Sequence, residues 1–258
     1  MSQLITQELA IVVSVKIQNP AILNEDFLKQ TGIIPSDWKL AREPVYTDRV
    51  AQIVFENGFS IAAQPDRVMF LEAVGDKEID TITAGEVAQK YVATLKLADY
   101  QAVGVNFRSY IAHNSPEDAS AYINNQLLAT GNWQDYGTGA VRASINLVYN
   151  LSERQLNLSI NEASIQFPEQ PATPVVLFAG NFSYDASQTA ADDRAAQIAK
   201  VIGNWKQDLS EYTALIDERF IAATSDSKGG SKGKAKSVVG GMEVAYAAEL
   251  PKVALTAN

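Results

Sequence analysis

The sequence predicts an α+β protein in which two successive β-α-β-β-β-α units form a curved antiparallel sheet packed by helices. Short segments alternate apolar and polar residues between turn residues, as strands with one buried face do. A stripe of apolar residues at helical spacing follows each group of strands, and a Gly/Ser/Lys-rich stretch follows the second stripe. The predicted units are a first half at 1–98, a second half at 99–221 and a C-terminal tail at 222–258.

The first half contains a predicted three-stranded meander, with strands at 49–56, 59–64 and 68–72. Asn57 and Gly58 join the first two strands. This dipeptide favours a type I′ hairpin turn, because both central residues of that turn have positive φ. Pro65 and Asp66 mark the second turn. A strand at 10–18 and a short helix near 23–30 are predicted before the meander.

A helix is predicted directly after this meander. Thr83 and Glu86 fit a capping box, in which each side chain accepts a hydrogen bond from the backbone N–H of the other residue. Val87, Tyr91 and Leu95 then fall on one face of the helix. This apolar face is expected to pack on the sheet.

The second half repeats the same order. A strand at 100–111 precedes a helix with Ser115 as its N-cap and Pro116 as its first residue, where the missing proline N–H costs nothing. The apolar residues between 190 and 220 fall at steps of three and four, which predicts one helix about 45 Å long. A helix of that length covers a whole sheet or pairs with a partner. The second meander is predicted at 141–151, 156–161 and 174–182.

The repeated order predicts a tandem duplication. AIVVSVKI at 10–17 and QAVGVNFR at 101–108 have the same role in the two halves. Two such halves joined edge to edge would form one broad sheet and would hide two strand edges that otherwise promote aggregation.

Three stretches resemble a sporadically distributed, uncharacterised family of bacterial proteins. They are FSIAAQPDRVMFLEA at 59–73, AVGVNFRSYI at 102–111 and GNWKQDLSEYTALIDERF at 203–220. The resemblance covers about 45–221 and implies duplicated halves and a long terminal helix with a Trp near its middle. It implies no activity, because the shared motifs mark corners between strands rather than catalytic groups.

Composition excludes several classes of function. The chain has no cysteine and a single histidine, so disulfides, thiol catalysis and multi-histidine metal sites are not expected. Its net charge is −9, which argues against nucleic acid as a partner. The tail carries five lysines and three acids, a net of +2, which leaves −11 for 1–221. A signal peptide and a membrane-spanning segment are not predicted, and a cytoplasmic location is expected.

Few residues of the sequence are suited to catalysis or ligand binding, and no catalytic, cofactor-binding or metal-binding residue is predicted. His113 lies in a strand-to-helix loop without a nucleophile motif. Arg67 and Arg108 lie in or beside strands. The acidic candidates are Asp76, Glu78 and Asp80, which alternate as possible cation ligands, and Asp192 and Asp193, which suit the start of a helix.

The tail has a different composition from the body. Residues 225–241 are rich in Gly, Ser and Lys, which predicts a flexible linker, and 242–258 is apolar again. Such an arm is expected to add a strand or a helix to a partner. The alternatives are a disordered tail and a strand that folds back on its own domain. The predicted partner-binding residues are Lys232, Lys234, Lys236, Met242, Val244, Tyr246, Leu250, Val253 and Leu255.

These features favour a non-enzymatic structural or interaction protein of an intracellular or virus-type assembly. Its partner is expected to be another protein or a second copy, bound through the tail and the long helix, with neither nucleic acid nor a membrane involved. The first alternative is a module that binds an apolar small molecule in a cavity between sheet and helix. The second is an enzyme that uses carboxylates and Arg108.

Overall fold

A computed structural model describes residues 3–166 and 171–222. The described strands are β1 (Ile5–Val15), β2 (Val45–Tyr46), β3 (Ala51–Val54), β4 (Phe59–Gln64), β5 (Arg67–Ala73), β6 (Tyr100–Ala112), β7 (Ile145–Asn150), β8 (Gln155–Ile165) and β9 (Thr173–Asp185). The described α-helices are α1 (Glu25–Gln30), α2 (Ala84–Thr94), α3 (Pro116–Ala121), α4 (Ala191–Gly203) and α5 (Trp205–Ile216). Wider π-helical turns follow α3 and α5, at Tyr122–Leu127 and Asp217–Ile221.

The nine strands form one antiparallel sheet in the order β2-β3-β4-β5-β1-β6-β9-β8-β7. β1 and β6 pair at its centre, where Ile11 lies opposite Val105. Outward from this central pair, each half runs through the third, second and first strand of its meander. The predicted α+β class and the antiparallel sheet are therefore confirmed. β2, which pairs with β3 at one end of the sheet, was not predicted.

The five described helices pack on one face of the sheet. Every second side chain along the strands faces the helices. These side chains, such as Leu9, Ile11 and Phe70, pack with helix residues in a single core cluster. The opposite face carries a small second cluster, made of Ala10, Val12, Ala62, Met69 and Leu71. The alternation in the sequence thus corresponds to a helix-covered face and a face without described helices.

The first hairpin differs from its prediction. The backbone N–H of Phe55 donates to the carbonyl of Phe59 (2.9 Å), so three residues rather than two connect the strands. Gly58 has a φ of +81°, and the Asn57 side chain accepts from the N–H of Phe59 (3.1 Å). Three-residue connections with glycine in the left-handed region are the next most common hairpin class. The type I′ turn was therefore the wrong prediction.

The capping box at the start of α2 was also wrong, because a carboxylate from β5 takes its place. Glu72 is 2% exposed. Its Oε2 accepts from the N–H groups of Thr83 (2.7 Å) and Ala84 (2.8 Å), and its Oε1 accepts from Lys77 Nζ (2.9 Å). Thr83 makes no side-chain cap of its own to α2. At α3, by contrast, the predicted N-cap is present, since Ser115 accepts from the N–H of Asp118.

The predicted continuous helix is divided at Asn204 into α4 and α5. Gly203 ends α4 at a close approach to α2, where an added Cβ would lie 2.8 Å from Gln89 Nε2. The same Gln89 nitrogen donates to the carbonyl of Ala199 in α4 (2.8 Å). The Trp205 ring lies against Gly85 of α2 in the same way. The second half of the chain therefore packs on the helix of the first half.

The apolar stripe of α4 and α5 is buried against the protein's own sheet and α2. Its buried members are Ile198, Ile202, Trp205, Leu209, Tyr212 and Ile216. Of the two roles expected for this segment, covering the sheet is the one observed. The described residues therefore use the apolar stripe within the chain, and pairing with a partner through this segment stays a prediction.

Candidate functional site

The candidate site is the open edge of the sheet at β7, which pairs with β8 alone. The other end of the sheet closes with the two-residue strand β2. In the described ranges, 3–166 and 171–222, no strand lies on the outer side of β7. An edge of this kind presents unpaired backbone N–H and C=O groups that can accept another strand.

The hairpin between β7 and β8 defines which backbone groups point outward. The N–H of Leu151 donates to the carbonyl of Arg154 (2.9 Å), and these two residues lie opposite each other in the same register as Asn150 and Gln155. Hydrogen-bonded and non-hydrogen-bonded pairs alternate along an antiparallel ladder. Ile145, Leu147 and Tyr149 therefore bond to β8, whereas Asn146, Val148 and Asn150 direct their N–H and C=O groups to the open side.

The side chains of β7 lack the usual protection of an edge strand. The strand INLVYN contains no charged residue and no proline, which are the residues that natural edges use against pairing. Asn146, Val148 and Asn150 are exposed on the face without described helices, and 58% of Val148 is accessible. Ile145, Leu147 and Tyr149 pack partly buried against the main core.

The described chain ends close to the beginning of β7. The Phe220 ring lies 6.1 Å from the ring of Phe178 in β9, and the Phe220 carbonyl accepts from the Tyr122 hydroxyl (2.9 Å). Phe178 lies opposite Ile160 of β8, which in turn lies opposite Ile145 of β7. Phe178, on which the end of the described chain packs, therefore lies about two strand spacings, or about 10 Å, from the open edge.

Two exposed aromatic residues precede β7 in the chain. Trp133 is 41% and Tyr136 is 89% exposed. The loop that carries them is fixed where Gln134 Nε2 donates to the carbonyl of Asn124 and Asn124 Nδ2 donates to that of Val141. Exposed aromatic side chains are enriched at protein interfaces.

A buried polar network fixes α5 at the other end of β7. The Tyr184 hydroxyl donates to both carboxylate oxygens of Asp208 (2.8 and 2.9 Å). Arg154, in the β7–β8 turn, pairs with Asp208 (Nε–Oδ1 3.4 Å) and with Glu211. Its guanidinium lies 5.2 Å from the centre of the Phe182 ring. The network joins the hairpin of the open edge to α5, and sequence reasoning missed it.

The titration of Asp208 gives a test of this network. Burial raises the pKa of Asp208 from 3.8 to about 6, although Tyr184 and Arg154 act in the opposite direction. A raised folded-state pKa stabilises the fold below about pH 4, and this contribution is lost as the pH rises through 6. Two pKa units correspond to about 3 kcal/mol. The variant Asp208→Asn lacks this pH dependence.

As the pH rises from about 4 to 8, the parent is expected to lose stability that Asp208→Asn keeps. The free energy of unfolding of the variant minus that of the parent should therefore increase by up to about 3 kcal/mol. Urea unfolding across this range measures it. Asp217→Asn changes an exposed aspartate just after α5 and serves as the control. A difference between parent and Asp208→Asn that is independent of pH would contradict the prediction.

The other candidate residues lie apart from this edge and do not form a common site. His113 is half-buried and tilted against the Tyr122 ring, and burial lowers its pKa. Arg108 lies opposite Glu8 on the face without described helices, where burial raises the pKa of Glu8. Arg67 pairs with Asp66.

The acidic candidates take structural positions. Asp80 pairs with Lys206, while Asp76 and Glu78 are exposed. Asp192 and Asp193 lie in the first turn of α4, as expected from the helix dipole. Among the described residues, no three acidic or histidine side chains are placed to hold a metal ion.

Aromatic rings occupy the space between α5 and the sheet where an apolar ligand was considered. The Tyr212 ring stacks on Phe107 with centroids 5.4 Å apart, and Phe107 also contacts Phe182. The Tyr212 hydroxyl donates to the carbonyl of Phe178 (2.9 Å). These aromatic rings belong to the main core.

The predicted partner-binding residues of the tail, Lys232 to Leu255, all lie outside the described residues. None of the helices in the described ranges has the length and apolar character that a membrane crossing requires. No family model matches the chain, and no curated protein matches it.

Proposed function

We propose that this chain is a non-enzymatic structural protein that assembles through the β7 edge, with its C-terminal tail as the docking arm. The observation that carries the proposal is the edge itself. Asn146, Val148 and Asn150 offer three N–H and three C=O groups on a strand without charge or proline. Backbone pairing along such an edge supplies affinity, and the neighbouring side chains supply specificity.

The tail suits this role in its charge and its starting point. A net charge of +2 in 222–258 opposes −11 in 1–221, so the arm is attracted to the body of another copy. Phe220, close to the beginning of the arm, packs on Phe178 of β9, two strands from the edge. Exposed Trp133 and Tyr136 add aromatic surface in the loop before β7.

The two halves of the chain are proposed to descend from a tandem duplication. The support is the common strand order, in which β1-β5-β4-β3 and β6-β9-β8-β7 each run outward from the central pair. In this view the edge at β7 is the counterpart of β3, and β3 differs from β7 in being covered by β2.

Full-length protein is expected to form oligomers at tens of micromolar, whereas a 1–222 truncation and the variant Val148→Pro are expected to be monomeric. Proline at 148 removes an outward N–H and leaves the bonds from Leu147 and Tyr149 to β8 in place. Proline also favours an extended residue before it, and Leu147 is already in a strand. Light scattering coupled to size exclusion measures the mass.

Val148→Thr is the matched control, because it keeps both the N–H and a β-branched side chain at the same position. It is expected to assemble like the parent. Circular dichroism and thermal unfolding establish that the proline variant is folded. Oligomers of unchanged mass in a folded Val148→Pro variant would show that the edge is not the assembly surface.

A further inference from the structure

We infer that tail residues 242–250 of one copy pair, as a tenth strand, with the β7 edge of a second copy. This inference rests on the proposed function, since it takes the β7 edge as the docking surface and names its occupant.

The sequence of the segment fits an edge of this type. In MEVAYAAEL the larger apolar side chains, Met242, Val244, Tyr246 and Leu250, all fall at even positions, with Ala248 between the last two. This period places them on one face of an extended strand. The segment contains neither glycine nor proline and is nine residues long, whereas β7 has six. It can therefore pair along the whole edge.

The pattern of β7 assigns the two faces of the added strand. Ile145, Leu147 and Tyr149 face the core, so the apolar row of the segment would extend this face. Glu243 and Glu249 then lie on the other face, beside the exposed asparagines of β7. A shift of one residue would move the apolar row to the opposite face of the sheet. The even-numbered residues of the segment are therefore expected on the core-facing side.

The length of the linker allows the segment to reach a second copy. A tenth strand on the same body lies about three strand spacings, or about 15 Å, from Phe178. The 19 residues at 223–241 have a root-mean-square span of about 24 Å and an extended reach of about 60 Å. The linker can therefore reach the β7 edge of a second body as well as its own.

The charge of the linker favours contact between two bodies. Four lysines and one aspartate lie in 225–241, and each body carries −11. Two such bodies repel one another at close range. A linker with a net charge of +3 that runs between them lowers this repulsion and makes the association sensitive to salt.

Disulfide trapping tests the inference, and the cysteine-free sequence makes it specific. One copy carries Val148→Cys, and a second, mass-tagged full-length copy carries one cysteine at a position from 243 to 249. Each copy has a single cysteine, so a disulfide between the two different cysteines must join two chains and gives a heterodimer. Opposite side chains on one face of an antiparallel or parallel pair meet the distance that a disulfide needs. The control acceptor is Ala112→Cys, an exposed residue at the end of β6.

The expected result is a cross-linked heterodimer when the tail cysteine is at an odd position, such as Ala245→Cys or Ala247→Cys. No heterodimer is expected when the tail cysteine is at position 244 or 246. The Ala112→Cys control is expected to give no such alternation. Cross-linking without alternation, or none at all, overturns the inference.

A chain that carries both cysteines separates the two possible acceptors. An internal disulfide in this chain, without heterodimer in the mixture, assigns the segment to its own edge and overturns the inference. If trapping fails while Val148→Pro still abolishes the oligomer, the β7 edge remains the assembly surface and another segment occupies it. If the oligomer survives Val148→Pro as well, the proposed function fails with the inference.

Discussion

Replacing Glu72 by alanine is expected to lower the free energy of unfolding by about 3–5 kcal/mol. The Glu72 carboxylate is buried and accepts from the N–H groups of Thr83 and Ala84 and from the ammonium of Lys77. The variant leaves the first turn of α2 without its acceptors and leaves Lys77 without its counter-charge. Chemical denaturation measures the loss, and hydrogen exchange of the Thr83 and Ala84 amides locates it.

Two further variants separate the parts of this interaction. Glu78→Ala removes an exposed carboxylate of the adjacent loop and is expected to change stability by less than about 0.5 kcal/mol. Lys77→Ala leaves the helix cap intact and is expected to cost less than Glu72→Ala. Equal stabilities of Glu72→Ala and Glu78→Ala would refute the assignment of the cap to Glu72.

Replacing Gly180 by alanine is expected to cost about 2–3 kcal/mol, because the new methyl group would overlap a ring that has no space to move. An added Cβ would lie 2.6 Å from Cε2 and 2.7 Å from Cδ2 of Tyr212. The Tyr212 ring is fully buried and stacked on Phe107, and its hydroxyl is bonded to the Phe178 carbonyl. Thermal and denaturant unfolding measure the change.

The matched control is Gly139→Ala, since Gly139 has no neighbouring atom within 4 Å of an added Cβ and no positive φ. Its expected effect is within about 0.5 kcal/mol. The double variant Gly180→Ala with Tyr212→Leu tests the cause. The glycine substitution should cost less when Tyr212→Leu is already present, whereas additive costs would mean that the ring is not what opposes the methyl group.

Local patterns were sufficient to predict most strands and the starts of most helices. The row predicted from Ala143, Ile145, Leu147 and Tyr149 corresponds to the observed core-facing side of β7 and of the residues just before it. Ser115 was identified as an N-cap from its own sequence neighbours. Such signals depend on residues within a few positions of one another, and the sequence contains them directly.

Features that depend on distant residues were missed. Gly203 and Asn204 are residue types that often end helices, but the apolar stripe resumes directly after them at Trp205. The division of the predicted helix coincides with the close approach of Gln89 from α2. Glu72 replaces the predicted cap because the end of β5 reaches the start of α2. Each outcome depends on tertiary packing.

The candidate site could be predicted only in part. The strand β7 was expected, but its position at the edge depends on the order in which nine strands pair. Asp208 did carry a signal in the sequence, because it interrupts the buried stripe between Trp205 and Leu209. A carboxylate on a buried face implies a polar partner, but Tyr184 and Arg154 can be named only from the fold.

The pairing of β1 with β6 at the centre of the sheet has a consequence for synthesis of the chain. β1 is made before the β6 strand that pairs with it, because Tyr100–Ala112 follows only after the whole first meander and α2. The outer surface of α2 remains uncovered until α4 is added. A nascent chain that stalls between these points exposes a long apolar strand to its neighbours on the same polysome. We therefore expect the first half to depend on chaperones until translation has passed Gly203.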